Sequence, residues 1–348
     1  MNDVGPFADF ARYARQVRFA PLGEEGQRRL GQGKALLCGC GALGSTIANL
    51  LVRAGGGMLR IVDRDFVEIG NLQRQVLFDE ADAAAALPKA IAAAEKLRKI
   101  NSAVTVEPVV ADIGPTNVKR FFDGVDLVLD GTDNFETRFL INDAAVKFGL
   151  PWIYGGCVGA EGQSMTILPG ETACLRCLMP ECPQPGSTAT CESAGILGPI
   201  VGVIASIEAA EAMKILSGNS QSVSRRLSVV DLWANSFRQI DVSHLRDEVD
   251  CPACKHGEYA WLSGRSLSRS AVLCGRNSVQ LSHLDASISL DELAQKLEGV
   301  GELTQNEFLL RLKVEGYELT IFPDARVIVA GTDDIAIART VYAKYVGN

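Results

Sequence analysis

Two groups of residues in this chain have types and spacings suited to chemistry. The first is polar. DRDFVEIGNLQRQVLF, residues 63–78, ends an apolar run in Asp63 and then sets Asn71, Gln73, Arg74 and Gln75 among apolar residues. Polar side chains this dense near a core need a ligand or a network to satisfy them. Upstream, CGCGALGS carries G-x-G-x-x-G at Gly39, Gly41 and Gly44. Glycine lets the backbone approach a phosphate, and the helix that follows supplies free N–H groups. Asp63 comes about twenty residues later, where a carboxylate accepts hydrogen bonds from a ribose. By itself this pattern suits NAD or FAD. A dinucleotide enzyme, however, has no need of cations and amides beside the acid. Asn71, Gln75, Arg74 and Lys89 offer donors for a triphosphate, Arg74 as a fork and Lys89 as a point charge. Asp133, followed by Asn134, closes the run VDLVLDGTD and suits Mg²⁺, which takes carboxylate, water and phosphate oxygens. The cluster therefore favours ATP.

The second group is the cysteines. CLRC (Cys174, Cys177) and CPAC (Cys251, Cys254) are two CxxC pairs. Four thiolates enclose a tetrahedral Zn²⁺, and a closed Cys₄ site is structural. A redox CxxC or an iron–sulfur site is the alternative, but neither pair is placed like a thioredoxin motif and turn residues flank both. Cys191, in TATCESAG just before a helix, is either an unreactive loop thiol or a nucleophile with a depressed pKa. Cys182 shares its loop and is a possible pairing partner. Cys38, Cys40, Cys157 and Cys274 read as small core residues. The three histidines form no catalytic constellation, and His256 reads as a surface residue.

These residues need a scaffold. Strands are expected at 34–39, 58–63, 104–112, 125–133 and 151–159, with helices at 42–55, 88–101 and 134–149 between them. That alternation implies a doubly wound, Rossmann-like, mostly parallel sheet. Residues 163–168 and 226–243 read as added strands around a helix at 199–217. The composition then changes. SLSRSAVLCGRNSVQL reads as one strand, SLDELAQKLEGVG as a helix begun at Ser289 or Asp291, and residues 308–331 as two or three antiparallel strands. The turns fall at Glu315–Gly316 and Pro323–Asp324, and a closing helix follows. The expected domains are 10–257, holding the nucleotide and zinc sites, and 265–348, a small α+β module.

The net charge of −8 argues against nucleic acid as a partner. The apolar stretch GILGPIVGVIASIEAAEAMKIL contains Glu208, Glu211 and Lys214 and reads as a buried helix rather than a membrane span. Ten cysteines without a secretion signal imply a reducing cytoplasm.

Residues 10–255 resemble the ubiquitin-activating-enzyme-like family in its ThiF/MoeB type. The resemblance rests on RYARQVRF, GCGALGS, VDRDFVEIGNLQRQ, LPKA, LDGTDN, EGQ, CLRC, TCESAG, GVIASIEAAEAMKIL and CPAC, in that order. It implies a homodimer with ATP and Mg²⁺ in each site, adenylating the C-terminal Gly-Gly carboxylate of a ubiquitin-fold sulfur carrier of the thiamine or molybdopterin type. It also implies that Gly41 lies under the phosphates, that Asp63 takes the ribose and that Asn71, Arg74 and Lys89 hold phosphate. Asp133 becomes the essential metal-linked acid, and Arg15 a finger reaching the partner's triphosphate. The four CxxC cysteines match the zinc ligands. Cys191 matches a loop cysteine that is covalent in some members and dispensable in others. The alternatives are thioester formation for protein modification and NAD-dependent oxidoreduction on the same fold. Residues 265–348 lack a rhodanese pattern, so a separate sulfur donor is expected and the tail is left to dock a carrier or partner.

Overall fold

The computed structural model describes residues 10–183, 193–265, 270–273, 277–281 and 288–347. They fall into two compact units, one of residues 10–183 and 194–265 and one built on residues 270–347.

In the first unit α1 (Phe10–Val17) and α2 (Gly23–Leu30) lead into β1 (Lys34–Cys38), α3 (Ala42–Ala54) and β2 (Met58–Asp63). A 3₁₀ turn at Ile69–Asn71 and α4 (Glu80–Ala84) precede α5 (Lys89–Ile100), β3 (Thr105–Val110), α6 (Val118–Phe122) and β4 (Leu127–Asp130). Next come α7 (Phe135–Phe148), β5 (Trp152–Val158), β6 (Glu161–Ile167), α8 (Leu175–Leu178), α9 (Gly198–Leu216), β7 (Arg226–Asp231), β8 (Ser236–Asp241) and α10 (Leu245–Glu248). The long elements lie where hydrophobic periodicity sets them. The helices α1 and α2 escaped that reading because each has only eight residues and is rich in Arg, Gln or Glu.

The strands form one sheet in the order β3-β2-β1-β4-β5-β6-β7-β8. The first five are parallel, and β6, β7 and β8 are added antiparallel. Helices cover both faces of the parallel part, so its strands are apolar on successive residues, as in Leu36 and Leu37. The helices α3, α5 and α9 pack on one face. The helices α6 and α7 and the cysteine-rich segments pack on the other. Strand order reverses between β1 and β4, whose ends pair at Cys38 and Asp130. Open α/β sheets leave their ligand crevice beyond the carboxyl ends of the strands at such a point. No described helix is long and apolar enough to cross a membrane.

The second unit comprises β9 (Ser270–Leu273), β10 (Ser278–Leu281), α11 (Leu290–Leu297), β11 (Glu302–Gln305), β12 (Leu310–Val314), β13 (Tyr317–Ile321), β14 (Val327–Ala330) and α12 (Ile335–Tyr345). Its antiparallel sheet has the order β11-β12-β13-β14-β10-β9. Leu310, Leu312, Leu319, Ile321, Val327 and Val329 share a core with Leu293 and Leu297 of α11 and Ala338 and Val341 of α12. The segment read as one strand is two, β9 and β10, paired antiparallel. Glu315 and Gly316 both have positive φ, 51° and 83°. A two-residue hairpin requires that backbone to match strand twist. Ser289 caps α11, its hydroxyl accepting from the Glu292 N–H.

Candidate functional site

The loops that follow β1 and β4 touch backbone to backbone. Gly39 has φ +87°, and a Cβ there would sit 2.7 Å from the Gly131 carbonyl oxygen. A Cβ on Gly44 or on Gly131 would overlap the Gly39 carbonyl oxygen. These three positions need glycine for packing. Gly41 is different. It caps the N-terminus of α3, and the nearest atoms to a Cβ there are Gln75 Nε2 at 3.8 Å and Gly131 O at 4.0 Å. Open space in front of unpaired helix N–H groups is a place for phosphate.

Asp63 closes β2 at the edge of this space. Its Oδ2 accepts from the Cys40 N–H and its Oδ1 from the Asp65 N–H, both at 2.6 Å. Each oxygen keeps a lone pair for a ribose hydroxyl. Burial raises its pKa, and Lys89 opposes the rise. Backbone pairing of Phe66 with Pro88, and of the Lys89 N–H with Asp65 O at 2.9 Å, carries the start of α5 to this point. Lys89 is only 4% exposed, and its Nζ lies 3.1 Å from Asp65 Oδ2. Burial alone would lower its pKa, but Asp65, Asp63 and Asp133 outweigh that and raise it. The ammonium therefore stays charged in a buried place.

Gln75 is 3% exposed and its Oε1 has no partner among the described residues, while its Nε2 faces the space over Gly41. An orphaned buried oxygen at the cradle suits a bound molecule that brings a donor. Asn71 is buried, and its side-chain oxygen accepts the Glu68 N–H at 3.2 Å, leaving its NH₂ as the group it can offer. Arg74 folds onto its own turn, Nη1 donating to Gly70 O at 3.0 Å. Asp133 is exposed after β4, and its charge acts on Arg64, Lys89 and Arg138. Asn134 caps α7, Oδ1 accepting the Thr137 N–H at 3.2 Å.

The structure brings Gly39, Gly41, Gly44, Asp63, Gln75, Lys89 and Asp133 to one end of the sheet, and it sets Arg15 apart. On α1, Gln16 Nε2 donates to Ala54 O at 2.9 Å and Arg12 Nη1 to Ile100 O at 3.0 Å. Those carbonyls end α3 and α5, whose N-termini flank the cradle. A helix of 13 residues spans about 20 Å. Arg15 is thus at the opposite pole from its own chain's glycine loop. Cys191 and Cys274 lie outside the described residues. His256 is exposed, its Nε2 2.6 Å from Asp250 Oδ1.

Four charged groups were missed in the sequence. Asp65 is the ion partner of Lys89. Asp130, fully buried at the end of β4, pairs with Arg138 Nε at 2.9 Å. Glu208 on α9 is fully buried, and neither oxygen has a partner among the described residues. Acids and bases inside apolar runs were the signal that could have found them, because burying such groups unpaired is costly.

On the other face of the sheet the two CxxC pairs meet. The Sγ atoms of Cys174, Cys177, Cys251 and Cys254 lie within 4.8 Å of one another. The separations are 3.8 Å for Cys174–Cys177, 3.6 Å for Cys174–Cys251 and 3.4 Å for Cys177–Cys254. Four Zn–S bonds of about 2.3 Å at tetrahedral angles require edges of about 3.8 Å. The cluster thus fits a structural zinc. Hydrogen bonding from neighbouring thiols, first of all Cys174, lowers Cys254 to about 7. Asn142 Nδ2 donates to Cys174 Sγ at 3.8 Å while its Oδ1 accepts the Leu175 N–H. Asp143 ties the segments together by accepting from Arg176 and from the Trp261 N–H.

A Rossmann-type sheet with a phosphate cradle at its switch point and a four-thiol cluster on its far face defines a class of nucleotide-binding protein. Within that class the chain belongs to the ThiF family, whose model matches residues 13–253. It is 41% identical to the "Sulfur carrier protein ThiS adenylyltransferase" of Bacillus subtilis, over 97% of this chain and 99% of that protein. It is 39% identical to the "SAMP-activating enzyme E1" of Haloferax volcanii, over 71% of this chain and 89% of that one. The crystal structure of E. coli MccB with ATP superposes with a TM-score of 0.60 over 70% of this chain and 73% of that one, at 23% identity. That likeness bears on the fold. The Bacillus relative spans both units of this chain.

Proposed function

We propose that this chain is an ATP-dependent adenylyltransferase acting on the C-terminal Gly-Gly carboxylate of a ubiquitin-fold sulfur-carrier protein. One observation carries the reading: Lys89 is a buried cation, kept charged by three carboxylates, beside an open glycine cradle. A site that keeps a cation where burial opposes it is built to meet an anion. The names of the relatives, led by the ThiS adenylyltransferase of Bacillus, support the choice of substrate.

In this reading the α3 N-terminus at Gly41 takes phosphate oxygens and Asp63 takes the ribose. Lys89, Arg74 and the NH₂ of Asn71 hold the triphosphate, with Gln75 and Asn134 lining it. Asp133 holds Mg²⁺, which when bound offsets phosphate charge. A carboxylate oxygen of the carrier forms a bond to the α-phosphorus, and the bond from that phosphorus to the bridging oxygen breaks. Pyrophosphate leaves with the electron pair. The carboxylate is already ionised at neutral pH, so no general base is required. Orientation and charge stabilisation carry the rate.

Arg15 acts from a second copy of the chain, because its own cradle is beyond its reach; this makes the working unit a homodimer. Cys191 is the candidate for any covalent step, and a separate protein donates sulfur. Reduced cysteines at the metal cluster support a cytoplasmic setting. The test is exchange of labelled pyrophosphate into ATP with purified Gly-Gly carriers. Carrier-dependent exchange, with an acyl-adenylate seen by intact mass, is the expected result. Absence of exchange with every thiamine-type and molybdopterin-type carrier would remove the reading.

A further inference from the structure

We propose that Asp130 and Arg138 form a clamp that positions Asp133 for the nucleotide and its metal; the role rests on the adenylyltransferase reading above. Neither residue contacts the cradle. Asp130 uses both oxygens inward: Oδ1 accepts the Thr132 N–H at 2.9 Å and the Thr132 hydroxyl at 2.7 Å, and Oδ2 accepts Arg138 Nε at 2.9 Å. Arg138 reaches back from the first turns of α7 beneath the loop. Its Nη2 donates to Thr132 O at 2.7 Å and to Gly155 O at 2.9 Å. Its guanidinium also lies over the rings of Phe135 and Tyr154, 5.3 and 5.4 Å from the centroids.

Thr132 is therefore pinned by its N–H, its hydroxyl and its C=O. On the far side of Asp133, Asn134 is fixed as the cap of α7. Asp133 sits between two immobilised neighbours, and its own carboxylate is exposed with no hydrogen bond among the described residues. The backbone is spent on fixing the residue and the side chain is left for a ligand. Gly155 belongs to β5, so the same guanidinium locks the loop to the next strand of the sheet.

A buried ion pair is weak evidence of a stability role, since well-packed apolar groups of equal volume often serve as well. What apolar groups cannot supply is a fork that meets a carboxylate and two carbonyls at fixed angles. Pre-set geometry at a charged ligand is what such a fork provides.

A double-mutant cycle on the full chain tests this, with Arg138→Lys, Asp133→Asn and both together. The readouts are binding of a fluorescent ATP analogue in Mg²⁺ or in EDTA, and amide hydrogen exchange of the peptide holding residues 131–134. Lysine keeps the charge that pairs Asp130 but lacks the fork that also holds the Thr132 and Gly155 carbonyls. Arg138→Lys is expected to weaken Mg²⁺-dependent binding about 10- to 100-fold, to speed exchange in that peptide, and to add nothing once Asp133 is Asn. Multiplicative effects in the double variant, or unchanged binding and exchange in Arg138→Lys, would overturn the clamp. Should Arg138→Lys not fold, Thr132→Val removes only the hydroxyl bond to Asp130; it should give the same non-additive pattern at smaller size, and additivity there overturns the clamp equally. A wild-type chain that binds no nucleotide overturns both the clamp and the adenylyltransferase reading. Tight binding with an additive cycle removes the clamp alone.

Discussion

Glu208→Gln should stabilise the first unit by an amount that grows with pH. Glu208 sits mid-way along α9, and a Cβ at Gly155 would overlap its carboxyl oxygen. It has no solvent and, among the described residues, no hydrogen-bond partner. Burial raises its pKa well above the usual 4.5, Asp130 adds to the rise and Arg138 opposes it. The native state therefore holds a proton that the unfolded chain gives up above that value. For a folded pKa above the unfolded one, the stability contribution is complete below the unfolded pKa and is lost as pH rises towards the folded one. The loss is about 1.4 kcal/mol per pH unit. Between about pH 5.5 and pH 7.5 wild type therefore loses stability relative to a side chain that does not titrate. Glutamine has nearly the same shape and does not titrate. Any fixed cost of its amide shifts the whole curve without changing its slope.

Urea unfolding followed by tryptophan fluorescence suits the measurement, because all three tryptophans (Trp152, Trp233 and Trp261) belong to the first unit. The other titrating groups are common to both proteins and cancel in the difference. The stability of Glu208→Gln minus that of wild type should rise with pH, at no more than about 1.4 kcal/mol per pH unit. A difference that is flat across this range would show that Glu208 is ionised in the native state, and the reasoning would fail.

Two glycine substitutions separate fold from ligand: Gly44→Ala should cost more than about 2 kcal/mol of stability, because its Cβ meets the Gly39 carbonyl, whereas Gly41→Ala should leave the melting temperature unchanged and weaken ATP binding measured by calorimetry. Asp133→Asn should raise the barrier to pyrophosphate exchange by on the order of 2–4 kcal/mol with unfolding unchanged; a loss matched by unfolding would count against it. Arg15→Ala and Asp133→Asn should each be inactive, and mixed dissociated subunits should recover about a quarter of wild-type exchange, since half of the random dimers then carry one complete site. Chelation, or Cys177→Ser, should release one zinc per chain in a dye assay and open residues 174–178 and 251–255 to protease.

What the sequence disclosed was whatever is local in it. Gly39, Gly41 and Gly44 announce themselves because a strand, a tight turn and a helix follow within a few residues. The CxxC pairs do so because two thiols three apart can meet one metal. The Glu315–Gly316 turn follows from its flanking apolar alternation. The hairpin of β9 and β10 reads as a single strand in the sequence because its two short runs are similar in composition. Asp130 lies inside VDLVLDGTD and Arg138 inside the helix expected at 134–149, yet their relation depends on how the end of β4 meets the first turns of α7. No spacing rule states that a residue eight positions away will bond back under a loop. Glu208 was noticed only as a charge that disqualifies a membrane span; that it is buried without a partner is a fact about α9 against β5.

Arg15 shows why position within the fold matters more than proximity in sequence. It precedes Gly39 by as many residues as Asp63 follows it, so the linear order suggests a neighbour of the phosphates. The chain instead passes α1 across the C-terminal ends of α3 and α5, and α3 then rises through the full depth of the sheet layer before its N-terminus is reached. Helix polarity forces this. The end of α3 that offers N–H groups to phosphate must lie at the carboxyl end of β1, so anything docked on its other end is held away from the ligand. If Arg15 serves a triphosphate, as proposed, it does so in another copy of the protein. On the proposed reading, the same packing that holds α1 makes a complete site depend on assembly.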